Sequence, residues 1–284
     1  MTEPLEHWSR WIGRSEEQSD VIDVLRARAM QATLDVDGPP LQEGDALPHL
    51  WHWLYFWSLA PHAALGPDGH AARGEFLPPI HLPRRMWAGG RITFTKPLKI
   101  GATATRQAKV ADIKRKHGSS GQLVFVTIEY EIADAEGPCL KEIQDVVFRE
   151  AAKPGEKLER GEAAPAVLPW RKKITPDPLL LFRYSALTFN GHRIHYDLKY
   201  ATQEEGYPGL IVHGPLLATL MMELAREKVQ DREITGFVYR ALRPVFDTAP
   251  ISIGGRNCQN GNCAELWVAD SQGNLAMQAR ADLA

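Results

Sequence analysis

The stretch SALTFNGHRIHYD, residues 185–197, concentrates side chains that can carry or position protons. His192 and His195 are three residues apart, and Asn190 precedes His195 by five. An imidazole accepts and donates protons near neutral pH, because its ordinary pKa is about 6.5. The pattern leaves three interpretations open: a metal site, a proton-transfer centre, or polar residues at the end of a strand.

A metal site would use His192, His195 and His213 as its ligands. Their spacing matches no common metal motif, since the chain has neither H-E-x-x-H nor a cysteine pair beside them. We therefore predict that the protein has no metal site. For His192 a structural role is favoured, and His213, which precedes a predicted helix, is expected to make a structural hydrogen bond.

The composition is typical of a globular protein and excludes several classes of function. With 284 residues, 44% of them hydrophobic, the chain can bury the core of one large domain or two ordinary ones. A net charge of −2 argues against a dedicated nucleic-acid or anionic-membrane surface, and no apolar run approaches the ~20 residues of a membrane span. The three cysteines form no C-x-x-C, and the N-terminus lacks a secretion signal. We therefore expect a cytoplasmic protein without a disulfide scaffold.

The elements that must position the histidines follow from hydrophobic periodicity. Helical spacing predicts a helix over residues 19–34 and a buried, tryptophan-rich helix over residues 47–60. Residues 65–83 are rich in glycine and proline and predict a long loop, which either wraps the structure or gates a tunnel. After the histidines, a helix is predicted to start at Pro215 with Gly214 as its cap.

Alternating apolar residues predict strands in both halves of the chain. The segments are RITFTKPLKIG, GQLVFVTIEYEIAD and KEIQDVVF in the first half and GFVYRALRPVF, AELWVAD and LAMQARADL in the second. Two similar hexapeptides, IADAEG at 132–137 and VADSQG at 268–273, each end one strand and open the next hairpin. A helix with an antiparallel sheet is therefore predicted twice.

A polar segment separates the two predicted units. REAAKPGEKLERGEAAPAV is rich in Ala, Glu, Lys, Pro and Gly, and it cannot bury much apolar surface. We place an N-terminal unit at residues 1–150, a linker at 151–168 and a C-terminal unit at 169–284. The C-terminal unit carries the histidine-rich stretch.

The C-terminal unit resembles a known family of enzymes. Tyr184-x-x-x-Thr188-x-Asn190-x-x-x-x-His195, followed by PGLIVHGPLL from Pro208, resembles the motif of MaoC-like (R)-specific enoyl-thioester hydratases. WIGR, LPHLWHWLYF, LPRRMWAGG, FVTIEYE and IQDVVFRE extend the resemblance over nearly the whole chain, to the double-hot-dog branch. That branch contains type-2 hydroxyacyl-thioester dehydratases and the mesaconyl-C4-CoA and itaconyl-CoA hydratases.

The resemblance implies an α+β double hot-dog fold, with two antiparallel sheets that each wrap around a central helix. Residues 47–60 would form the first of these helices. The resemblance further implies that the N-terminal unit, residues 1–150, is non-catalytic and shapes the acyl tunnel. The implied reaction is the reversible hydration of a short branched enoyl-CoA, mesaconyl-C4-CoA or itaconyl-CoA to citramalyl-CoA, as in itaconate degradation.

The resemblance also implies roles for individual residues. His195 would be the general acid–base residue, Asn190 would position the water, and Gly214 would donate its N–H to the enolate oxygen. The wider family has aspartate where this chain has Asn190, which leaves His195 as the sole strong base unless Asp197 assists. Arg193 stands where the family often has proline, and its guanidinium could bind a substrate carboxylate.

Other residues are expected to contact the remainder of the substrate. Tyr184 could hydrogen-bond in the same pocket. Arg84, Arg85 and the basic residues 114–116 are candidates for binding the phosphates of coenzyme A, although such clusters are more often solvated surface. The expected partner is an acyl-CoA thioester, with no separate cofactor, no nucleic acid and no membrane, and with a homodimer as the candidate assembly.

Three other functions fit the same fold. One is dehydration of (3R)-hydroxyacyl-ACP in fatty-acid synthesis, which needs a deep apolar tunnel without an arginine at its end. Another is hydrolysis of an acyl-CoA thioester, which would release free thiol from a saturated substrate. The last is a non-catalytic module that binds acyl thioesters.

Overall fold

Ten antiparallel strands form one sheet across the residues that the computed structural model describes, 5–118, 121–151, 161–166 and 169–284. The strands are β1 (Ser15–Val21), β2 (Arg84–Phe94), β3 (Thr103–Gly118), β4 (Gly121–Asp134), β5 (Gly137–Arg149), β6 (Trp170–Ile174), β7 (Ile234–Ala241), β8 (Ile251–Asn257), β9 (Cys263–Ala269) and β10 (Leu275–Leu283). Their order is β1-β3-β4-β5-β2-β7-β10-β9-β8-β6. The second five strands therefore repeat the arrangement of the first five in mirror order.

The pairing of β2 with β7 joins the two halves. Gly89 and Gly90 of β2 lie opposite Arg240 and Tyr239 of β7. A Cβ at Gly90 would collide with the hydroxyl group of Tyr239, so a residue without a side chain is needed there. The sequence predicts two sheets, and this junction corrects that expectation to one continuous sheet in the described residues.

The two similar hexapeptides lie at corresponding hairpins of the two halves. Residues 132–137 connect β4 to β5, and residues 268–273 lie between β9 and β10. The predicted linker at 151–168 lies largely outside the described residues, which omit 152–160 and 167–168. The division into an N-terminal and a C-terminal unit therefore stays a prediction.

The longest helix packs against the C-terminal half of the sheet. The helices are α1 (Leu5–Ser9), α2 (Val24–Thr33), α3 (Pro178–Leu187) and α4 (Gly214–Lys228). α4 contacts the strands β6 to β10, and Pro215 lies in its first turn as predicted. The apolar residues whose spacing predicts this helix are all buried: Leu216, Leu217, Leu220, Met221 and Leu224.

The helix predicted over residues 47–60 is wrong. The segment forms only a 3-10 turn, Trp51–Leu54, and Leu50 and Phe56 on either side have positive φ angles of 70° and 59°. An L-residue with positive φ cannot continue a right-handed helix, so the turn is interrupted at both ends. The segment is nevertheless part of the hydrophobic core, as expected, and Trp51 is 1% exposed.

The helix predicted over residues 19–34 begins later than expected. Residues 15–21 form β1, an edge strand that pairs with β3. Asp23 then caps α2, because its side chain accepts the N–H of Arg26 at 2.9 Å.

Two of the three cysteines form a disulfide, which the sequence did not predict. Cys258 and Cys263 form a disulfide at the β8–β9 hairpin, whereas Cys139 is free and buried. The bonded residues are only five positions apart, so the disulfide closes one short loop and no wider scaffold. None of the helices in the described residues is long and apolar enough to cross a membrane.

Leu217→Ala tests the contribution of α4 to the core. Leu217 is 3% exposed, and removal of its buried methyl groups is expected to lower the free energy of unfolding by about 2–5 kcal/mol. Leu179→Ala is the matched control, because Leu179 is 58% exposed on α3 and its truncation should change this quantity by less than about 0.5 kcal/mol. Equal losses in denaturant unfolding would contradict the prediction.

Candidate active site

The histidine-rich stretch leaves α3 through a tight C-terminal cap. Asp177 caps the start of α3 by accepting the N–H of Leu180 at 2.7 Å. At the other end, the N–H of Asn190 donates to the carbonyl of Ser185 at 2.8 Å, and Phe189 has a φ of 50°. This left-handed cap usually favours glycine, and it turns the chain sharply from the helix into the loop that carries the histidines.

His195 is held as a neutral imidazole with one nitrogen free to accept. Its Nδ1 lies 2.7 Å from the carbonyl oxygen of Ile211, and because a carbonyl only accepts, the proton lies on Nδ1. Burial lowers the pKa of His195 to about 4; the hydrogen bond to Ile211 opposes this shift, and the charge of His70 adds to it. At neutral pH the Nε2 atom of His195 therefore carries a lone pair.

His195 packs against the start of α4. Its ring stacks on that of His213 with centroids 3.7 Å apart, and His213 immediately precedes Gly214, the first residue of the helix. The first N–H groups of a helix have no acceptor within it and carry the positive end of the dipole. A Cβ at Gly214 would lie 2.7 Å from the ring of Trp87, so glycine is required. The residues predicted as acid–base group and oxyanion donor are thus neighbours, and their roles stay predictions.

His213 makes the structural hydrogen bond expected of it. Its Nε2 lies 2.8 Å from the hydroxyl oxygen of Ser185 on α3, whereas its Nδ1 has no partner among the described residues. Complete burial lowers the pKa of His213 well below its usual value, with contributions from His195 and His192. His213 is therefore neutral, and its ring packs against one face of the His195 ring.

Asn190 and His192 complete the loop. The side-chain carbonyl of Asn190 accepts the backbone N–H of His192 at 3.0 Å, so one of its two lone pairs is occupied. The His192 ring lies between two others, with centroids 5.4 Å from that of His195 and 4.2 Å from that of His70. Burial, then the charges of His70 and His195, lower the pKa of His192 to about 2.

Asp68 and His70, which sequence analysis missed, lie beside these histidines. Asp68 accepts the backbone N–H of His70 at 3.0 Å and lies 3.1 Å from its Nδ1. Burial opposes ionisation of Asp68, but the hydrogen bonds from His70 hold its pKa well below the usual range. The sequence signal was the PDGH segment in the long loop, where an aspartate precedes a histidine by two residues.

Two glycines hold this loop against the histidine-rich stretch. A Cβ at Gly69 would collide with the carbonyl of Gly191, and a Cβ at Gly191 would lie 2.8 Å from the carbonyl oxygen of Gly69. The backbone N–H of Arg193 also donates to the carbonyl of Asp68, and its guanidinium to that of Pro67, both at 2.9 Å. The N-terminal half therefore contributes residues to the same site.

Arg193 is occupied by local partners. Its Nη2 and Nε donate to the Oδ2 of Asp197 at 2.7 and 3.1 Å, and the guanidinium lies over the ring of Tyr200 at 4.2 Å. These contacts satisfy the guanidinium and engage Asp197 as well. The placement does not favour Arg193 as the binder of a substrate carboxylate, and that role stays a prediction.

A cavity of about 1120 Å³ lies beside the loop and His70. Of the residues predicted to form the site, Tyr184, Asn190 and Arg85 line the cavity. His195, Gly214 and Arg193 are not among the lining residues, although Pro215, which follows Gly214, is one of them. Tyr184 is 1% exposed, and burial raises the pKa of its hydroxyl group well above the usual value.

Arg85 is a partly buried cation in the cavity wall. It lies on β2, and within the described part of the chain its guanidinium has no hydrogen-bond or ion-pair partner. Burial lowers the pKa of Arg85, and its charge contributes to the lowered pKa values of His70 and His192. Arg85 therefore lies near the histidines.

Glu142, a buried acid in the cavity wall, already has hydrogen-bond partners. It accepts the indole N–H of Trp53 at 3.0 Å and that of the Gln144 amide at 3.1 Å, and it lies 3.0 Å from the Nε2 of His52. Burial opposes ionisation, but these partners lower the pKa of Glu142. With so many donors, Glu142 forms a structural network rather than a free base.

One group of side chains has metal-binding geometry. Potential ligand atoms of Asp68, His70 and His192 lie within 4.8 Å of one another, and no other such group occurs among the described residues. This set differs from the three histidines considered from the sequence. A hydrogen bond from His70 to Asp68 accounts for the close approach of these two side chains without a metal. The expected absence of a metal stays a prediction.

Comparisons with known proteins identify the family of the chain. The family model described as hydroxyacyl-thioester dehydratase type 2 matches residues 50–247. A mesaconyl-C(4)-CoA hydratase from Chloroflexus aurantiacus is 46% identical over 276 residues, 97% of this chain and 98% of that protein. A mitochondrial hydroxyacyl-thioester dehydratase type 2 from Schizosaccharomyces pombe is 30% identical over 266 residues, 83% of each chain.

A solved structure shares the fold. A MaoC-like dehydratase from Phytophthora capsici superposes with a TM-score of 0.72, at 14% identity and over 99% of this chain and 98% of its own. At that identity the likeness shows a MaoC-like hot-dog fold alone. The family match and the two relatives show more: the protein is a hydro-lyase, and the chain belongs to the hydroxyacyl-thioester dehydratase type 2 family.

Proposed function

We propose that the protein catalyses the reversible hydration of a short, branched enoyl-CoA that carries a free carboxylate. Mesaconyl-C4-CoA is the first candidate and itaconyl-CoA the second, with citramalyl-CoA as the product. The observation that carries the proposal is the hydrogen bond that leaves Nε2 of His195 unprotonated beside the start of α4. The name of the 46% identical relative supports the choice of substrate.

The chemistry follows from the placement of two groups. As the water oxygen bonds to the β-carbon, Nε2 of His195 takes one of its protons, and the double-bond electrons move towards the thioester oxygen. The N–H of Gly214 then donates to that oxygen while it is negatively charged. His195 returns the proton to the α-carbon, and the reverse sequence expels water. A general acid–base residue contributes roughly 10²–10⁴-fold, and one oxyanion donor roughly 10²–10³-fold.

Arg85 is the proposed partner of the free carboxylate. A guanidinium binds a carboxylate through two parallel hydrogen bonds, and Arg85 has no competing partner among the described residues. The charge of Arg85 contributes to the lowered pKa values of His70 and His192, so Arg85 lies near these histidines. This position favours binding of the acyl end of the substrate by Arg85 over binding of the distant phosphates of coenzyme A. Arg84, in contrast, pairs with Glu205 at 3.1 Å.

The wall of the cavity also bears on the alternative reaction, dehydration of (3R)-hydroxyacyl-ACP. The name of the Schizosaccharomyces pombe relative supports a hydroxyacyl thioester as substrate. An arginine in the wall without a hydrogen-bond partner among the described residues favours a carboxylated acyl group over a plain chain, because buried donors that lack an acceptor disfavour apolar contact. The proposal further includes a cytoplasmic homodimer that needs no metal or organic cofactor of its own.

His195→Gln tests the proposed acid–base residue. Loss of the conjugated thioester absorbance of mesaconyl-C4-CoA measures hydration, and the variant should lower kcat roughly 10²–10⁴-fold because glutamine cannot carry the proton. His117→Gln, which changes an exposed histidine of β3, is the matched control and should leave the rate unchanged. Hydration by His195→Gln at the wild-type rate, or release of free thiol from a saturated acyl-CoA by the wild type, would contradict the proposal.

Paired arginine variants test the substrate class. Arg85→Gln should lower kcat/KM for mesaconyl-C4-CoA about 10–100-fold and leave kcat/KM for crotonyl-CoA unchanged. Only mesaconyl-C4-CoA has a free carboxylate, so only this substrate loses a charge-assisted hydrogen bond. Arg193→Gln should change kcat/KM for both substrates alike, since it removes the hydrogen bond from the guanidinium to the carbonyl of Pro67 in the neighbouring loop. If selectivity disappears in Arg193→Gln and persists in Arg85→Gln, the sequence prediction for Arg193 is right and Arg85 is wrongly assigned.

A further inference from the structure

The addition of water needs a second acceptor beside Nε2 of His195. A water that attacks the β-carbon presents two O–H groups, and in a buried site each needs an acceptor. His195 offers one, its Nε2. The carbonyl of Asn190 already accepts the N–H of His192, and His213 is bonded to Ser185. The second lone pair of the Asn190 carbonyl stays free, and an acceptor on another element is also available for the second O–H.

His70 has the free nitrogen that this task requires. Because the ionised Asp68 can only accept, the 3.1 Å contact places the proton of the His70 ring on Nδ1 and leaves the lone pair on Nε2. His70 lines the cavity and is 22% exposed. Its ring lies 4.2 Å from that of His192, which in turn contacts His195.

The fold fixes this arrangement by backbone contacts. Gly69 and Gly191 approach each other so closely that neither position can carry a side chain. The hydrogen bond from the N–H of Arg193 to the carbonyl of Asp68 adds a second point of attachment at 2.9 Å. The distance between His70 and the loop that carries His195 is therefore set by packing of the main chain.

We propose that His70, oriented by Asp68, is a second catalytic residue, whose Nε2 holds the water that His195 deprotonates. The inference rests on the proposed function. Asp68 is a positioning residue, because it acts through the tautomer of His70. The N-terminal half, which the sequence predicts to be non-catalytic, thereby completes the active site.

The atoms of the step balance without a further reactant. The water oxygen forms its bond to the β-carbon and one of its protons moves to Nε2 of His195, from which it passes to the α-carbon. The other proton stays on the oxygen as the product hydroxyl group, donated throughout to Nε2 of His70. In dehydration the same acceptor holds the leaving hydroxyl group.

Asp68→Asn is the sharpest test of the tautomer. The backbone N–H of His70 keeps the amide oxygen of the new side chain in the place of Oδ1, so its NH₂ group must face Nδ1 of the ring. The ring proton then moves to Nε2, which becomes a donor and can no longer accept from the water. We expect kcat/KM for mesaconyl-C4-CoA to fall by about 100-fold or more, with little change in thermal unfolding. Asp45→Asn, at an exposed aspartate of the same half, is the control.

His70→Gln provides a readout that a structural role would not change. Glutamine retains an acceptor but does not titrate, so activity should fall less than in His70→Leu. Protonation of His70 abolishes its acceptor; burial and the charge of Arg85 lower the pKa of His70, and the hydrogen bond to Asp68 opposes this shift. His70→Gln has no such protonation, so the acid limb of its kcat/KM profile should shift relative to that of the wild type. Wild-type rates with an unmoved acid limb in both Asp68→Asn and His70→Gln would overturn the inference.

Two further measurements separate the inference from its rivals. The ¹⁵N shifts of the His70 ring report the tautomer without turnover: an unprotonated Nε2 in the wild type that becomes protonated in Asp68→Asn supports the inference, and a protonated Nε2 in the wild type overturns it. Loss of activity on chelation, restored by zinc, would overturn it in favour of a metal at Asp68, His70 and His192. If the wild type hydrates no enoyl-CoA, the proposed function fails instead.

Discussion

The hydrogen bond from Nδ1 of His195 to the carbonyl of Ile211 is the interaction on which the site depends. It selects the tautomer and leaves Nε2 as a base, while burial keeps the ring uncharged. The N–H of Ile211 donates in turn to the carbonyl of Ile194, so the strand-like segment before α4 is tied to the histidine loop twice. The same short segment leads directly into Gly214, which brings base and helix dipole together.

The two halves of the chain cooperate at two junctions. At one, β2 and β7 pair through glycines, and the ring of Trp87 stacks on Tyr239 with centroids 4.3 Å apart. At the other, Gly69 and Gly191 bring two loops into main-chain contact. Both junctions exclude a side chain where the backbones meet, which explains how a histidine from the first half can reach a centre built by the second.

The periodic elements could be predicted from the sequence, and the contacts between distant segments could not. β4 has an uninterrupted pattern whose bounds agree with the structure, and α4 begins at Gly214, one residue before the predicted start at Pro215. The segment 47–60 has an apolar composition but no helical fold, because positive φ angles at Leu50 and Phe56 depend on tertiary packing. His70 joins His192 across more than a hundred residues, which no local pattern reveals. The pairing of Arg193 with Asp197, in contrast, was readable from their i,i+4 spacing.

The most direct measurement is a crystal structure with a saturated analogue of mesaconyl-C4-CoA. Our account predicts that the β-carbon lies beside a water within about 3 Å of Nε2 of His195, with the thioester oxygen facing the N–H of Gly214. His195 is not among the residues that line the cavity. Our account therefore requires that the cavity wall rearranges when the ligand binds and exposes His195 to it. A thioester bound with its oxygen away from the start of α4, and with no path from His195 to the β-carbon, would contradict the account.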